Sequence, residues 1–101
     1  MDEVKYYLYR GKKLLGTITH TSDDFPWHQG VFEPEPCFDE VKHLFNQELK
    51  LLENDELTDG KWDAVWTEIT RPGLKLIPIS GGKDIEKFLL HIDGEETWWR
   101  T

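Results

Sequence analysis

Apolar and polar residues alternate along the first twenty positions of the chain. Tyr6 and Leu8 share one side of an extended segment, and Leu14 and Gly16 resume the pattern after a short polar break. A period of two is typical of β-strands. A three-residue loop at positions 10–12 places Leu8 opposite Leu14 and Tyr6 opposite Gly16, so the segment predicts a β-hairpin.

The alternation stops in residues 21–37. Pro26, Pro34 and Pro36 lie in this segment, and proline cannot donate a hydrogen bond to a central strand. The pattern therefore predicts an irregular loop. Its aromatic side chains, which include Phe25 and Trp27, are expected to pack on the core or on a partner.

Helical spacing follows the loop. Apolar residues three and four apart from Phe38 to Leu52 predict an amphipathic helix over about residues 37–53. A second helix is predicted around Trp62 and Trp66, after a break at residues 54–56 and before Pro72-Gly73. The two helices are expected to form an αα-hairpin whose tryptophans lie in the core.

Strand patterns return near the end of the chain. Residues 74–79 predict an edge strand, because Pro78 lies inside it. Residues 88–92 and 95–100 flank Asp93-Gly94, a strong two-residue hairpin signal. This register places His91 opposite Glu96 and puts Trp98 and Trp99 on opposite faces, so one of the two is expected to be more exposed.

These elements predict an α+β fold in one domain, residues 1–101. An antiparallel sheet of four to five strands carries the αα-hairpin on one face, in the order ββ, loop, αα, βββ. The order of the strands is not predicted. An exposed edge at the terminal strand could pair with a second copy, so the sequence allows a monomer or a weak homodimer.

Charge narrows the range of partners. The formal net charge is −8, and residues 21–60 hold two basic and eleven acidic side chains. Such a chain is not expected to bind nucleic acid or an anionic membrane directly. The single Cys37 excludes an internal disulfide, and the charged first twenty residues do not resemble a signal peptide. The expected location is cytoplasmic.

Sequence signatures of catalysis are missing. Gly81-Gly82 is not followed by the residues of a phosphate-binding loop, and Cys37 lies in no nucleophile motif. His20 and His28 flank Asp23 and Asp24, which are acceptable zinc ligands, but their spacing matches no tight metal motif. No cofactor and no metal site are therefore predicted, and the sequence favours a protein that is not an enzyme.

Most of the sequence resembles a group of small, uncharacterised bacterial proteins. The resemblance lies in residues 24–27 (DFPW), in Gly30–Pro34 and in residues 88–94 (FLLHIDG). It implies a complete bacterial domain and brings no activity, cofactor or substrate with it.

The predicted function is that of an acidic protein-interaction module, either partner-binding or inhibitor-like. An aromatic acidic loop supplies the predicted contact residues, since tryptophan and its aromatic neighbours are frequent interaction hot spots. The alternative is a small-molecule-binding protein or small enzyme with a histidine and carboxylate cleft. The contact residues are Asp24, Phe25, Trp27, His28, Phe32 and Glu33, and the alternative cleft holds His91, Glu96 and Trp98.

Overall fold

Six strands and two α-helices form an α+β fold in the computed structural model, which describes residues 4–54 and 60–101. The predicted break between the helices lies partly outside these residues. The strands are β1 (Lys5–Arg10), β2 (Lys13–Asp24), β3 (Trp27–Pro34), β4 (Leu74–Pro78), β5 (Leu89–Asp93) and β6 (Glu96–Arg100). A 3-10 helix (Pro36–Glu40) precedes α1 (Lys42–Glu53), and α2 is Lys61–Thr70.

The strands form one antiparallel, curled sheet in the order β4-β1-β2-β3-β6-β5. The α+β class is confirmed, whereas the prediction of four to five strands was too low. The prediction of β4 as an edge strand is also confirmed. The last strand, β6, pairs with both β3 and β5, so it offers no free edge to a second copy.

The missing strand lies in the segment that was predicted to be an irregular loop. β2 continues to Asp24, and β3 returns from Trp27 to Pro34 after a two-residue turn at Phe25-Pro26. The prolines do not interrupt a ladder, because Pro26 lies in the turn, Pro34 ends β3 and Pro36 begins the 3-10 helix. Proline therefore marks the limits of this hairpin and does not exclude its strands.

The first hairpin also has a different register from the predicted one. A two-residue turn joins Arg10 to Lys13, and a bulge at Leu8/Tyr9 brings Gly16 opposite Leu8. The ring of Phe32 covers Gly16, because a Cβ atom built at Gly16 would lie 2.6 Å from that ring. Only glycine leaves the space that this ring occupies.

The last hairpin turns one residue later than predicted. β5 and β6 pair Asp93 with Glu96, so Gly94-Glu95 forms the turn. Gly94 has a φ of 63°, a left-handed conformation that glycine adopts without a steric cost. The shift moves each partner by two residues, and His91 lies opposite Trp98 instead of Glu96. The predicted His91–Glu96 pair is therefore wrong.

The helices pack on each other and contribute to the core. Pro36 lies in the first turn of the 3-10 helix, so the predicted helix over residues 37–53 is divided near Val41. The rings of Trp62 and Trp66 stack 5.9 Å apart on α2 and are half-buried, less than predicted. The buried core residues come from the sheet, the 3-10 helix and its C-cap, and the two α-helices: Leu8, Leu15, Ile18, Phe32, Phe38, Val41, Phe45, Ile69, Leu74, Leu76, Leu90, Ile92 and Trp99.

Neither described helix is long and apolar enough to cross a membrane.

Candidate functional site

The turn between β2 and β3 projects an aromatic side chain into solvent. Phe25 is 96% exposed, whereas a phenylalanine side chain is usually buried. Pro26 follows it, and Asp23 and Asp24 are exposed just before it. Residues 23–28 are here called the hairpin tip. All of them except Asp24 border an open recess of about 440 Å³, together with Arg100 and Thr101. An exposed apolar group with carboxylates beside it is thus the outermost feature of this hairpin.

Trp27 belongs to the tip in sequence but packs inward. Its ring lies 5.3 Å from the ring of His91, and Trp98 lies 5.4 Å from the same imidazole. Trp27 and Trp98 are half-buried, while His91 is 4% exposed. Two tryptophans therefore enclose His91, and Trp27 offers only part of its surface to a partner.

His91 also contacts a buried carboxylate. Its Nδ1 atom lies against Oε1 of Glu48, which is fully buried on α1. Trp62 donates a hydrogen bond of 3.2 Å from its Nε1 to that same oxygen. Among the described residues, Glu48 Oε2 has no hydrogen-bond partner. The chain of contacts joins α2, α1 and β5 through polar groups inside the protein.

The third feature is a cluster of two histidines and one aspartate near the tip. Oδ1 of Asp23 lies 2.7 Å from Nε2 of His20 and 2.6 Å from Nδ1 of His28. The two imidazole rings are 5.6 Å apart. Each also contacts the ring of buried Trp99, at 5.8 Å for His20 and 5.6 Å for His28. The buried ring of Trp99 therefore packs against both histidine rings.

A β-bulge explains why these three side chains meet. Residues three apart in a regular strand point to opposite faces, so His20 and Asp23 are not expected to lie together. The ladder between β2 and β3 shifts between His20 and Ser22, leaving Thr21 as the extra residue. Asp23 then pairs with His28, on the face that His20 occupies. The bulge assembles the cluster.

The cluster also changes the acidity of its carboxyl group. The hydrogen bonds from His28 and then His20 hold the pKa of Asp23 below its ordinary value of 3.8. A hydrogen bond to the charged form favours ionisation. Asp23 is therefore a carboxylate at neutral pH, with two ring nitrogens directed at one of its oxygens.

The predicted contact residues do not form one surface. Phe32 is fully buried in the core, so its prediction as a contact residue was wrong. Glu33 is exposed, but it lies six residues beyond Trp27 on β3, about 20 Å along an extended strand. Asp24, Phe25 and His28 remain at the tip with part of Trp27.

Within the predicted alternative cleft, His91 lies opposite Trp98 and not Glu96. Glu96 and Trp98 line a recess of about 410 Å³ that His91 does not reach. The partner of His91 is Glu48, which the sequence analysis did not select. Helical spacing gave the only available signal, because Glu48 lies between the buried residues Phe45 and Leu49 on the apolar side of α1.

Comparisons with protein-family models, curated proteins and solved structures gave no match.

Proposed function

We propose that this protein is a non-enzymatic interaction module and that the hairpin tip is its contact surface. The proposal depends on one observation, the 96% exposure of Phe25 at the turn. Burying a phenylalanine side chain contributes about 1.5–3 kcal/mol. In the isolated protein this free energy is not used for folding, and a partner that covers the ring gains it on binding.

The surroundings of Phe25 indicate the chemistry of the partner. Asp23 and Asp24 precede the ring, and both are exposed. A complementary surface therefore has an apolar pocket for the ring and basic groups at its rim. Opposite charge at an interface increases the rate of association and fixes the orientation of the partners. We infer a basic protein partner with a pocket of aromatic size.

A small-molecule-binding protein or small enzyme is the second candidate, and it has less support. Its cleft required His91 and Glu96 to be adjacent and open to solvent. His91 is instead buried against Glu48 and between two tryptophans. A group that is 4% exposed and enclosed by two tryptophan rings is not placed to meet a substrate.

Site-specific photocrosslinking tests the proposal in cells of the source organism. A photoreactive phenylalanine analogue replaces Phe25 in one strain and Ile79 in another. Ile79 is 43% exposed and lies next to β4, so it is a matched apolar position outside the tip. We expect one dominant adduct from position 25 and none of that size from position 79.

A binary binding measurement with the purified adduct partner completes the test. Phe25→Ala is expected to weaken binding by about thirtyfold, the effect of losing a hot-spot side chain. Asp24→Asn is expected to slow association and to reduce its dependence on salt. Equal adducts at positions 25 and 79, or an affinity that Phe25→Ala leaves unchanged, would show that the tip is not the contact surface.

A further inference from the structure

We propose that His20, Asp23 and His28 form a binding site for one divalent transition-metal ion of the zinc type. Each residue offers one ligand atom, and the three atoms lie within 4.8 Å of one another. Two imidazole nitrogens and a carboxylate oxygen form a ligand set that zinc accepts. The spacing of the three residues in the sequence does not predict this site, because the three side chains meet only through the bulge at Thr21.

The geometry is close to that of a bound state. Both ring nitrogens already point at one oxygen of Asp23, at 2.7 and 2.6 Å. Ligand bonds of about 2.0–2.1 Å in a tetrahedral site require ligand atoms roughly 3.4 Å apart. The Asp23 oxygen must therefore withdraw by less than about 1 Å, and the two ring nitrogens, which lie within 4.8 Å of each other, must settle at the same spacing. The ion takes the place of the protons that these hydrogen bonds share.

The histidine rings are held in position before an ion arrives. Trp99 is 1% exposed and contacts both rings from below. β2 and β3 pair directly at Asp23 and His28, which fixes their backbones relative to each other. A site that is already ordered loses little conformational entropy on binding.

Solvent reaches the site, and one coordination position remains open. The side chains of His20, His28 and Asp23 are 25%, 40% and 56% exposed. Three protein ligands leave a fourth tetrahedral position for water or another molecule. Calcium and magnesium prefer sets of oxygen ligands, so two imidazoles and a single carboxylate select against both ions.

Isothermal titration calorimetry with zinc chloride tests the site. The protein carries no histidine tag, and a Cys37→Ser background removes the half-buried thiol as a competing ligand. We expect one equivalent of zinc to bind and calcium not to bind. Asp23→Asn and His28→Gln are each expected to weaken zinc binding by at least tenfold. His43→Gln is the matched control, because His43 is exposed on α1, and it should leave affinity unchanged.

Thermal melts and cobalt spectroscopy distinguish loss of the metal site from loss of folding. Thermal melts of the metal-free variants show whether each folds, and Asp23→Asn preserves the size of the side chain if His28→Gln does not fold. Cobalt should give the visible absorption of a tetrahedral site in the wild type and lose it in Asp23→Asn. Absence of stoichiometric zinc binding, or zinc affinity that folded Asp23→Asn and His28→Gln leave unchanged, overturns the proposal. Phe25 is not a ligand, so Phe25→Ala should bind zinc normally whether or not the tip binds a partner.

Discussion

Phe25 and Phe32 belong to the same hairpin and have opposite environments. Phe32 is fully buried against Phe38 and covers Gly16, whereas Phe25 is 96% exposed. Both were predicted to belong to one contact surface, because both lie among prolines and acidic residues in the sequence. Their difference arises from pairing, since Phe32 lies opposite Ile18 within the ladder and Phe25 lies in the turn.

This contrast predicts the stability of two alanine variants. Phe25→Ala should change the free energy of unfolding by less than about 0.5 kcal/mol, because it removes no packed contact. Phe32→Ala should lower it by about 3–5 kcal/mol through loss of burial and creation of a cavity. Urea unfolding of both variants beside the wild type measures the two values. A large loss in Phe25→Ala would mean that the tip is part of the core.

At the scale of elements, polar contacts connect the two helices to the sheet. Trp62 on α2 donates to Glu48 on α1, and Glu48 contacts His91 on β5. Apolar packing alone tolerates a helix that slides or rotates. A buried carboxylate fits only where its partners lie, so we expect this chain of contacts to select one arrangement of the helices.

The same contacts predict a large cost for Glu48→Ala. The variant leaves buried His91 without the carboxylate that it contacts and the Nε1 group of half-buried Trp62 without its acceptor. Leaving a buried polar group unsatisfied costs about 1–3 kcal/mol. Glu53→Ala is the control, because Glu53 is exposed on the same helix and its loss should cost less than about 0.5 kcal/mol. Urea unfolding compares them. Similar values for the two variants would contradict a structural role for Glu48.

The secondary elements could be predicted from the sequence more readily than their pairing. Periodicity located α1, α2, β4 and most of β1, β5 and β6, because burial on one side leaves a local pattern. It did not reveal β3, in which Gln29 and Gly30 interrupt the apolar pattern. It also did not reveal the bulges at Leu15 and Thr21, because a bulge is fixed by contacts with the neighbouring strand.

The candidate site also depends on strand pairing that a local sequence pattern does not predict. The chemistry of His20, Asp23 and His28 could be read from their residue types, but their convergence depends on one extra residue in β2. The exposure of Phe25 and the burial of Glu48 depend on tertiary packing. No local pattern distinguishes them from their neighbours.

At the scale of the whole molecule, β6 is an interior strand. It pairs with β3 on one side and β5 on the other, and it supplies the buried ring of Trp99. That ring contacts Tyr6 as well as His20 and His28. The last strand of the chain therefore joins β5 to the rest of the sheet.

Removal of β6 is expected to prevent folding. A chain ending at Glu95 loses the partner of β3 and β5 together with Trp99, so it should show no cooperative transition in urea. A chain that lacks only Thr101 should unfold like the wild type, because Thr101 is exposed and follows β6. Circular dichroism during urea titration distinguishes the two. A cooperative transition in the shorter chain would mean that the sheet is stable without its fifth position.

The outer side of β4 has a consequence for self-association. Pro78 offers no amide hydrogen there, and the backbone of Leu76 exchanges two hydrogen bonds with Ile85. A free strand edge acts as a template for another chain, and natural sheets suppress this with prolines, charges or a covering segment. In β4 a proline and a covering residue act together within three positions. A neighbouring molecule must displace Ile85 before it can extend this sheet, which protects a concentrated solution of the protein from fibrillar growth at that edge.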